Sequence, residues 1–174
     1  MNTRTKIAWV VVAIVGTGFL LPQSNTLPVA NATSADWHPE SFWYEPWGSS
    51  GVHKGIDIFG QRGDSIVSSS PGLVLYRGEI KKGGKVVIVL GAKWRIHYYA
   101  HLDSINDLVS PWVVAGEPLG GLGDTGNAKG KPPHLHYSIV SLVPLPWRID
   151  SSTQGYKKAF YLNPHDYFHS GGSD

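Results

Sequence analysis

The sequence predicts an all-β domain, mainly antiparallel sheet joined by glycine-rich loops, with little helix outside the N-terminal segment. Three observations carry this. From Gly51 to Val140, short β-branched and aromatic runs are punctuated by glycine: Ile56-Asp57-Ile58, Gly72 to Tyr76, Lys85 to Leu90, Ile96 to Leu102 and His134 to Val140. No stretch of this region repeats apolar residues with the period of an amphipathic helix. Finally, the lead-in Gly126 to Pro133 ends in two prolines, which preset φ and bias the residue before each toward an extended conformation, so the chain enters His134 to Val140 already straight.

Length and composition bound the rest. With 174 residues, 41% hydrophobic and 16% charged, the chain can bury the core of a single domain. A formal charge of +2, with no cluster of lysine or arginine, argues against a nucleic-acid partner. Cysteine is absent, which excludes a disulfide framework, a thiolate zinc site and a cysteine nucleophile. Any metal must be held by His, Asp or Glu.

At the start, Arg4 and Lys6 precede an uncharged run from Ile7 to Leu21, followed by Pro22 and by Ala30-Asn31-Ala32. A positive n-region, an apolar h-region and a small-residue site make a secretory signal, so residues 1–32 are read as a signal peptide or membrane anchor and the domain as exported to the periplasm or cell envelope. Cleavage and attachment through residues 7–21 both remain open, since the Ala-x-Ala lies far from the apolar run. Residues 33–50, with Trp37, Trp43 and Trp47 in no regular period, read as an irregular aromatic lead-in laid over the domain. The domain itself is expected over 51–168, its last part from Ser141 irregular, with a flexible tail over 169–174.

In a strand, His134 and His136 project to one side about 6 to 7 Å apart while Leu135 enters the core. His-x-His alone also suits a polar strand face. Partners for it occur in Val52-His53-Lys54-Gly55-Ile56-Asp57. A fully extended chain would separate His53 from Asp57 by about 13 Å, too far for one ion, so the backbone must turn between them, as Gly55 permits. Two imidazoles and one carboxylate leave an open position for water, the pattern of catalytic zinc. A further histidine, His101, lies in Tyr98-Tyr99-Ala100-His101-Leu102, where alternation predicts His97, Tyr99 and His101 on one face and Ile96, Tyr98, Ala100 and Leu102 on the other.

These elements, together with Ser70-Pro71-Gly72-Leu73-Val74 and Gly123-Asp124-Thr125-Gly126-Asn127 leading to His134, resemble the lysostaphin and LytM-type zinc endopeptidases of bacterial cell walls. The resemblance covers roughly Gly51 to Val140. It implies an antiparallel sheet with a substrate groove, one Zn2+ held by His53, Asp57 and His136, and unligated His101 and His134 as catalytic groups beside it. The implied substrate is the peptide cross-link of peptidoglycan, its stem peptides being the partner, cut by a metal-activated water. A neutral imidazole can take that water's proton and an imidazolium can serve the leaving amine or the oxyanion, with the roles of His101 and His134 left undivided.

Two departures from the family pattern stand out. Trp47 occupies a position where some members have a tyrosine that supports the oxyanion, and an indole donates one hydrogen bond but cannot act as an acid. Gly83-Gly84-Lys85 lacks an asparagine that relatives often have after the glycines. Gly121 to Gly126 spells G-x-G-x-x-G, but Asn127 to Pro133 make a poor helix opening, against a dinucleotide site. His97 reads as groove-lining or surface, and His38, His165 and His169 as solvated. Two other functions compete with this one: a wall-binding module that activates other hydrolases, as relatives lacking zinc ligands do, which the full ligand set here argues against, and a non-haem iron enzyme using the same two histidines and carboxylate, which an export signal and the unemployed His134 disfavour.

Overall fold

A computed structural model describes residues 1–108 and 110–169 of the chain. Helix α1 (Thr3–Leu20) is capped by Asn2, whose side chain accepts from the Thr5 amide at 2.8 Å. Apolar on every side, it has no core-facing stripe, and all of its residues but Thr5 and Gly18 are exposed. It touches the domain where the Trp94 indole covers Gly18 and donates to the Val15 carbonyl at 2.9 Å.

The lead-in over 33–50 folds as three single 3₁₀ turns, Ser34–Asp36, Pro39–Ser41 and Gly48–Ser50. Trp37 anchors it in the core. Backbone bonds from Trp43 to the His53 carbonyl and from His53 to the Tyr44 carbonyl tie it to the chain entering the first strand.

The strands are β1 (Ile56–Phe59), β2 (Ser65–Val67), β3 (Gly72–Ile80), β4 (Gly84–Gly91), β5 (Arg95–Leu102), β6 (Ser104–Ile105), β7 (Trp112–Val113), β8 (Pro118–Gly121), β9 (His134–Ser141) and β10 (Tyr161–Leu162). Among the described residues the main sheet has the antiparallel order β1-β9-β5-β4-β3-β7, with β10 also pairing β9, and a second sheet has the order β2-β8-β6. This is the all-β architecture read from the sequence. The five long runs are its principal strands; the short β2, β6, β7, β8 and β10 escape periodicity, which needs more residues to register. Part of the stretch expected to be irregular after Ser141 is ordered as β10 and the short helix α2 (Pro164–His169). His169 closes that helix, and 170–174 of the expected tail lie outside the described residues.

One face of the main sheet supplies Ile56, Ile58, Val87, Val89, Tyr99, Leu135, Tyr137 and Ile139 to the core, against Ile66, Leu119 and Leu122 from the second sheet and its margin. The opposite face carries the polar residues. Pairing of Asp57 with His136 and of Phe59 with His134 across β1 and β9 sets these side chains on that face together.

On β5 the expected alternation is half wrong. His97 and Tyr99 do share a face, but it is the buried one: His97 is 1% exposed and bonded to the Tyr137 hydroxyl at 2.6 Å, not groove-lining. Tyr98 and Ala100 therefore face outward. His101 joins them because β5 bulges there, three residues of β4 (Lys85 to Val87) facing four of β5 (Tyr99 to Leu102), with His101 at φ 69°. Its amide is held by the Gly83 carbonyl at 2.8 Å.

Candidate metal centre and its cleft

The turn that His53 and Asp57 require is made at Gly55, where a Cβ would lie 2.4 Å from the Tyr137 carbonyl oxygen and 3.1 Å from the His136 ring. That close approach of backbone to β9 needs glycine. It brings His53 Nε2, Asp57 Oδ1 and His136 Nδ1 into a triangle with sides of 3.1, 2.8 and 3.0 Å. Among the described residues this is the group of three His or acidic side chains able to share one ion.

Both imidazole donors are aimed from behind. His53 Nδ1 donates to the Ser41 carbonyl at 3.0 Å, leaving Nε2 for the centre, and His136 Nε2 meets Ser138 Oγ at 3.1 Å, leaving Nδ1. Trp47, the residue expected from the resemblance to depart from some members' tyrosine, stacks on the His53 ring at 3.9 Å and 19° and so packs on a ligand candidate. Burial acts to raise the Asp57 carboxyl's pKa, but hydrogen bonds from His136 and His53 outweigh it and hold the group well below the usual carboxylate range. Burial lowers the pKa of His136 against the pull of Asp57.

His134 and His101 stand beside this triangle, their rings 5.2 Å apart and edge to face. Both are buried, and both are tethered through Nδ1, His134 to the Pro132 carbonyl and His101 to the Thr125 carbonyl, each at 2.8 Å. Each neutral ring therefore keeps its Nε2 lone pair free, and His134 Nε2 lies 3.9 Å from Asp57 Oδ2. Burial, then the neighbouring His136, lowers the His101 pKa to about 4, with the Thr125 carbonyl opposing. All five candidate site residues of the sequence thus come together.

The cleft beside them has a volume of about 210 Å³. Sequence reasoning misses several of its walls. Strand alternation assigns Tyr98 to the wrong face, its ring being 6.2 Å from that of His136, while Lys54, Lys82 and Lys131 arrive on loops whose meeting no local pattern signals. Burial, then the charges of Lys157 and Lys82, lowers the Lys54 pKa. Beyond Trp47 and His53, a second hollow of about 290 Å³ continues past Tyr44 and Phe59.

The other histidines lie apart. His38 and His169 are exposed, as expected, but His165 is half-buried and accepts a hydrogen bond from the Trp37 indole at 3.2 Å. Gly126–Ala128 is a lone 3₁₀ turn rather than the start of a helix, so the glycine pattern there lacks the frame of a dinucleotide site.

The profile of peptidase family M23 matches residues 51–144, a span that holds all five of these residues. Two curated relatives are similar to this part. The murein hydrolase activator NlpD of Salmonella dublin is 32% identical over 125 residues, 67% of this chain and 32% of its own length. The L-Ala--D-Glu endopeptidase of Bacillus subtilis (strain 168) is 32% identical over 113 residues, 60% of this chain and 35% of its own. The chain thus spans about a third of these relatives' length. Among solved structures, a zinc-containing peptidase from Vibrio cholerae superposes with a TM-score of 0.55 at 24% identity, covering 69% of this chain and 37% of that one, which supports the fold. With more than half of the sequence inside the matched span, the chain belongs to peptidase family M23.

Proposed function

We propose that the chain is an exported zinc endopeptidase that hydrolyses peptide cross-links of peptidoglycan, with residues 51–168 as its catalytic domain. The observation that carries this is the donor triangle of His53, Asp57 and His136 with two free imidazole edges beside it. The triangle fits zinc: ligands at about 2.0 to 2.1 Å in a tetrahedron lie about 3.3 Å apart, close to the 2.8 to 3.1 Å here. The three atoms come from two imidazoles and one carboxylate held ionised, a donor set that leaves a fourth position open. When bound, zinc supplies a Lewis-acidic centre that brings the pKa of its water toward 7 and polarises a carbonyl.

The chain's own residues supply the rest. The Thr125 and Pro132 carbonyls hold the Nδ1 protons of His101 and His134, so both rings exchange protons only at Nε2, on the cleft side. One Nε2 takes a proton from the attacking water; the other, once protonated, faces the leaving amine or the negative charge on the substrate carbonyl oxygen. Trp47 stacked on His53 and the Ser41 carbonyl behind it keep that ring from turning. Peptidoglycan is supported by the relatives, an endopeptidase among them.

The expected result of digesting purified muropeptides is new peptide fragments by mass spectrometry, lost on chelation and restored by zinc. Metal analysis of protein purified without added metal should find zinc, about one per chain; iron, or full hydrolysis after chelation, would overturn the reading. A second reading is favoured by the similarity to NlpD, an activator: the domain would bind the wall and stimulate other hydrolases. Activity that appears only when an amidase is added would select it.

Export rests on α1, an exposed apolar helix that contains Arg4 in its first turn and overlaps the expected signal. Fractionation should place the protein in the envelope, and N-terminal sequencing should give either a start near Thr33 or a retained anchor. Full-length chain soluble in the cytosol would defeat this.

A further inference from the structure

The cleft has two arms of opposite character. On the arm that holds His101, His134 and His136, three lysines converge from three separate segments: Lys54 from the turn before β1, Lys82 from the β3–β4 hairpin and Lys131 from the loop entering β9. Among the described residues, no acidic residue lines it apart from the metal-ligand candidate Asp57. Beyond Trp47 the other arm offers Tyr44, Phe59 and Glu40 and, among the described residues, carries no lysine or arginine.

Two of these lysines are hydrogen-bonded within the 48–50 segment at the margin of this arm. Lys54 Nζ donates to the Ser50 carbonyl at 3.0 Å, and Lys82 Nζ to Ser49 Oγ at 2.9 Å. None of the three is in an ion pair among the described residues. Three lysines lining one concave wall gather positive charge there. The arrangement is relieved by an anion placed among them, where each contact becomes a charge-assisted hydrogen bond. An ordinary peptide backbone offers no such charge, so the matching group is a carboxylate carried by the substrate.

We propose that Lys54, Lys82 and Lys131 form a subsite for a free carboxylate near the scissile bond, making the cleft selective for acidic stem peptides over their amidated counterparts. This rests on the reading of the cleft as the peptide site, but not on its being catalytic. The aromatic arm beyond Trp47 then takes the uncharged continuation of the peptide.

The test uses the zinc-loaded full chain in detergent and paired synthetic stem peptides that differ only in a side-chain or α-carboxyl group, free in one and carboxamide in the other. Preference is read as the ratio of kcat/KM where the peptides are cut, and as the ratio of Kd where they are only bound. A ratio of roughly 10 or more in favour of the carboxylate is expected from exchanging charged for neutral hydrogen bonds, shrinking as salt is raised. Lys82→Gln and Lys131→Gln should each lower it several-fold and together bring it near one, while Lys129→Gln, on an exposed lysine outside the cleft, should not change it. A ratio near one in the unsubstituted chain, failure of both peptides to bind, or a preference that survives the double substitution overturns the subsite. Preferential binding without cleavage would uphold the subsite and count instead against the endopeptidase reading.

Discussion

Replacing His136 by alanine is expected to remove zinc and hydrolysis together, whereas His134→Ala keeps zinc near one per chain and slows turnover by roughly 10² to 10⁴. The two histidines are chemically alike and two residues apart on β9, so composition cannot separate them; their bonding does. His136 presents Nδ1 to the Asp57 carboxylate at 2.8 Å and is backed by Ser138, and its loss leaves two protein ligands, too few to hold the ion tightly. His134 spends Nδ1 on the Pro132 carbonyl, and its Nε2 stands 3.9 Å from the farther Asp57 oxygen, beside the triangle rather than in it. His101→Ala should behave as His134→Ala does, since its Thr125 tether is equivalent. Bound zinc and turnover measured on all three variants decide the matter, and the assignment fails if His134→Ala loses the metal while His136→Ala retains it.

Much of this centre is legible in the sequence because the chemistry sits in short, local signals. Two prolines before His134 make the strand, strand alternation puts His134 and His136 on one side, and the 13 Å problem between His53 and Asp57 forces a turn that Gly55 makes, a span of about 13 Å being that of an extended chain. The features that stay hidden depend on pairing between distant segments. The bulge that swings His101 to the outer face exists because β5 runs one residue long against β4, and nothing in Tyr98 to Leu102 alone reports that mismatch. The same slip misplaces Tyr98 and puts His97 on the wrong side of the sheet. The meeting of Lys54, Lys82 and Lys131 is likewise a property of three loops whose positions are fixed only by the finished sheet, and Trp47's stacking on His53 comes from the fold of the aromatic lead-in.

His97, buried rather than groove-lining, carries the second large expectation: the fold should lose stability in acid through this one ring. Its Nδ1 is bonded to the Tyr137 hydroxyl at 2.6 Å, and its Nε2 is buried with no partner among the described residues. Protonation would therefore place an N–H and a charge where nothing accepts them. Burial, then the nearby Arg95 charge, lowers its pKa from 6.5 to about 3. The other titratable groups packed on it, Tyr137 from β9 and Tyr167 from α2, are both pushed above the ordinary tyrosine range by burial and stay neutral throughout. Below pH 6.5 the unfolded chain takes up a proton at this position that the folded chain refuses, so stability falls as pH drops from 6.5 toward 3. The slope approaches about 1.4 kcal/mol per pH unit, a large share of a total of about 5 to 15 kcal/mol. His97→Asn, whose amide can keep the bond to Tyr137 but does not titrate, should abolish this component. Urea unfolding of both proteins at pH 7.5, 5.5 and 4.5, with the same chelator in each, isolates it from the titration of the metal site. The stability advantage of the wild type over the variant should shrink steadily with acid, and an advantage that is flat across that range would show that His97 takes up its proton in the folded core as readily as in the unfolded chain.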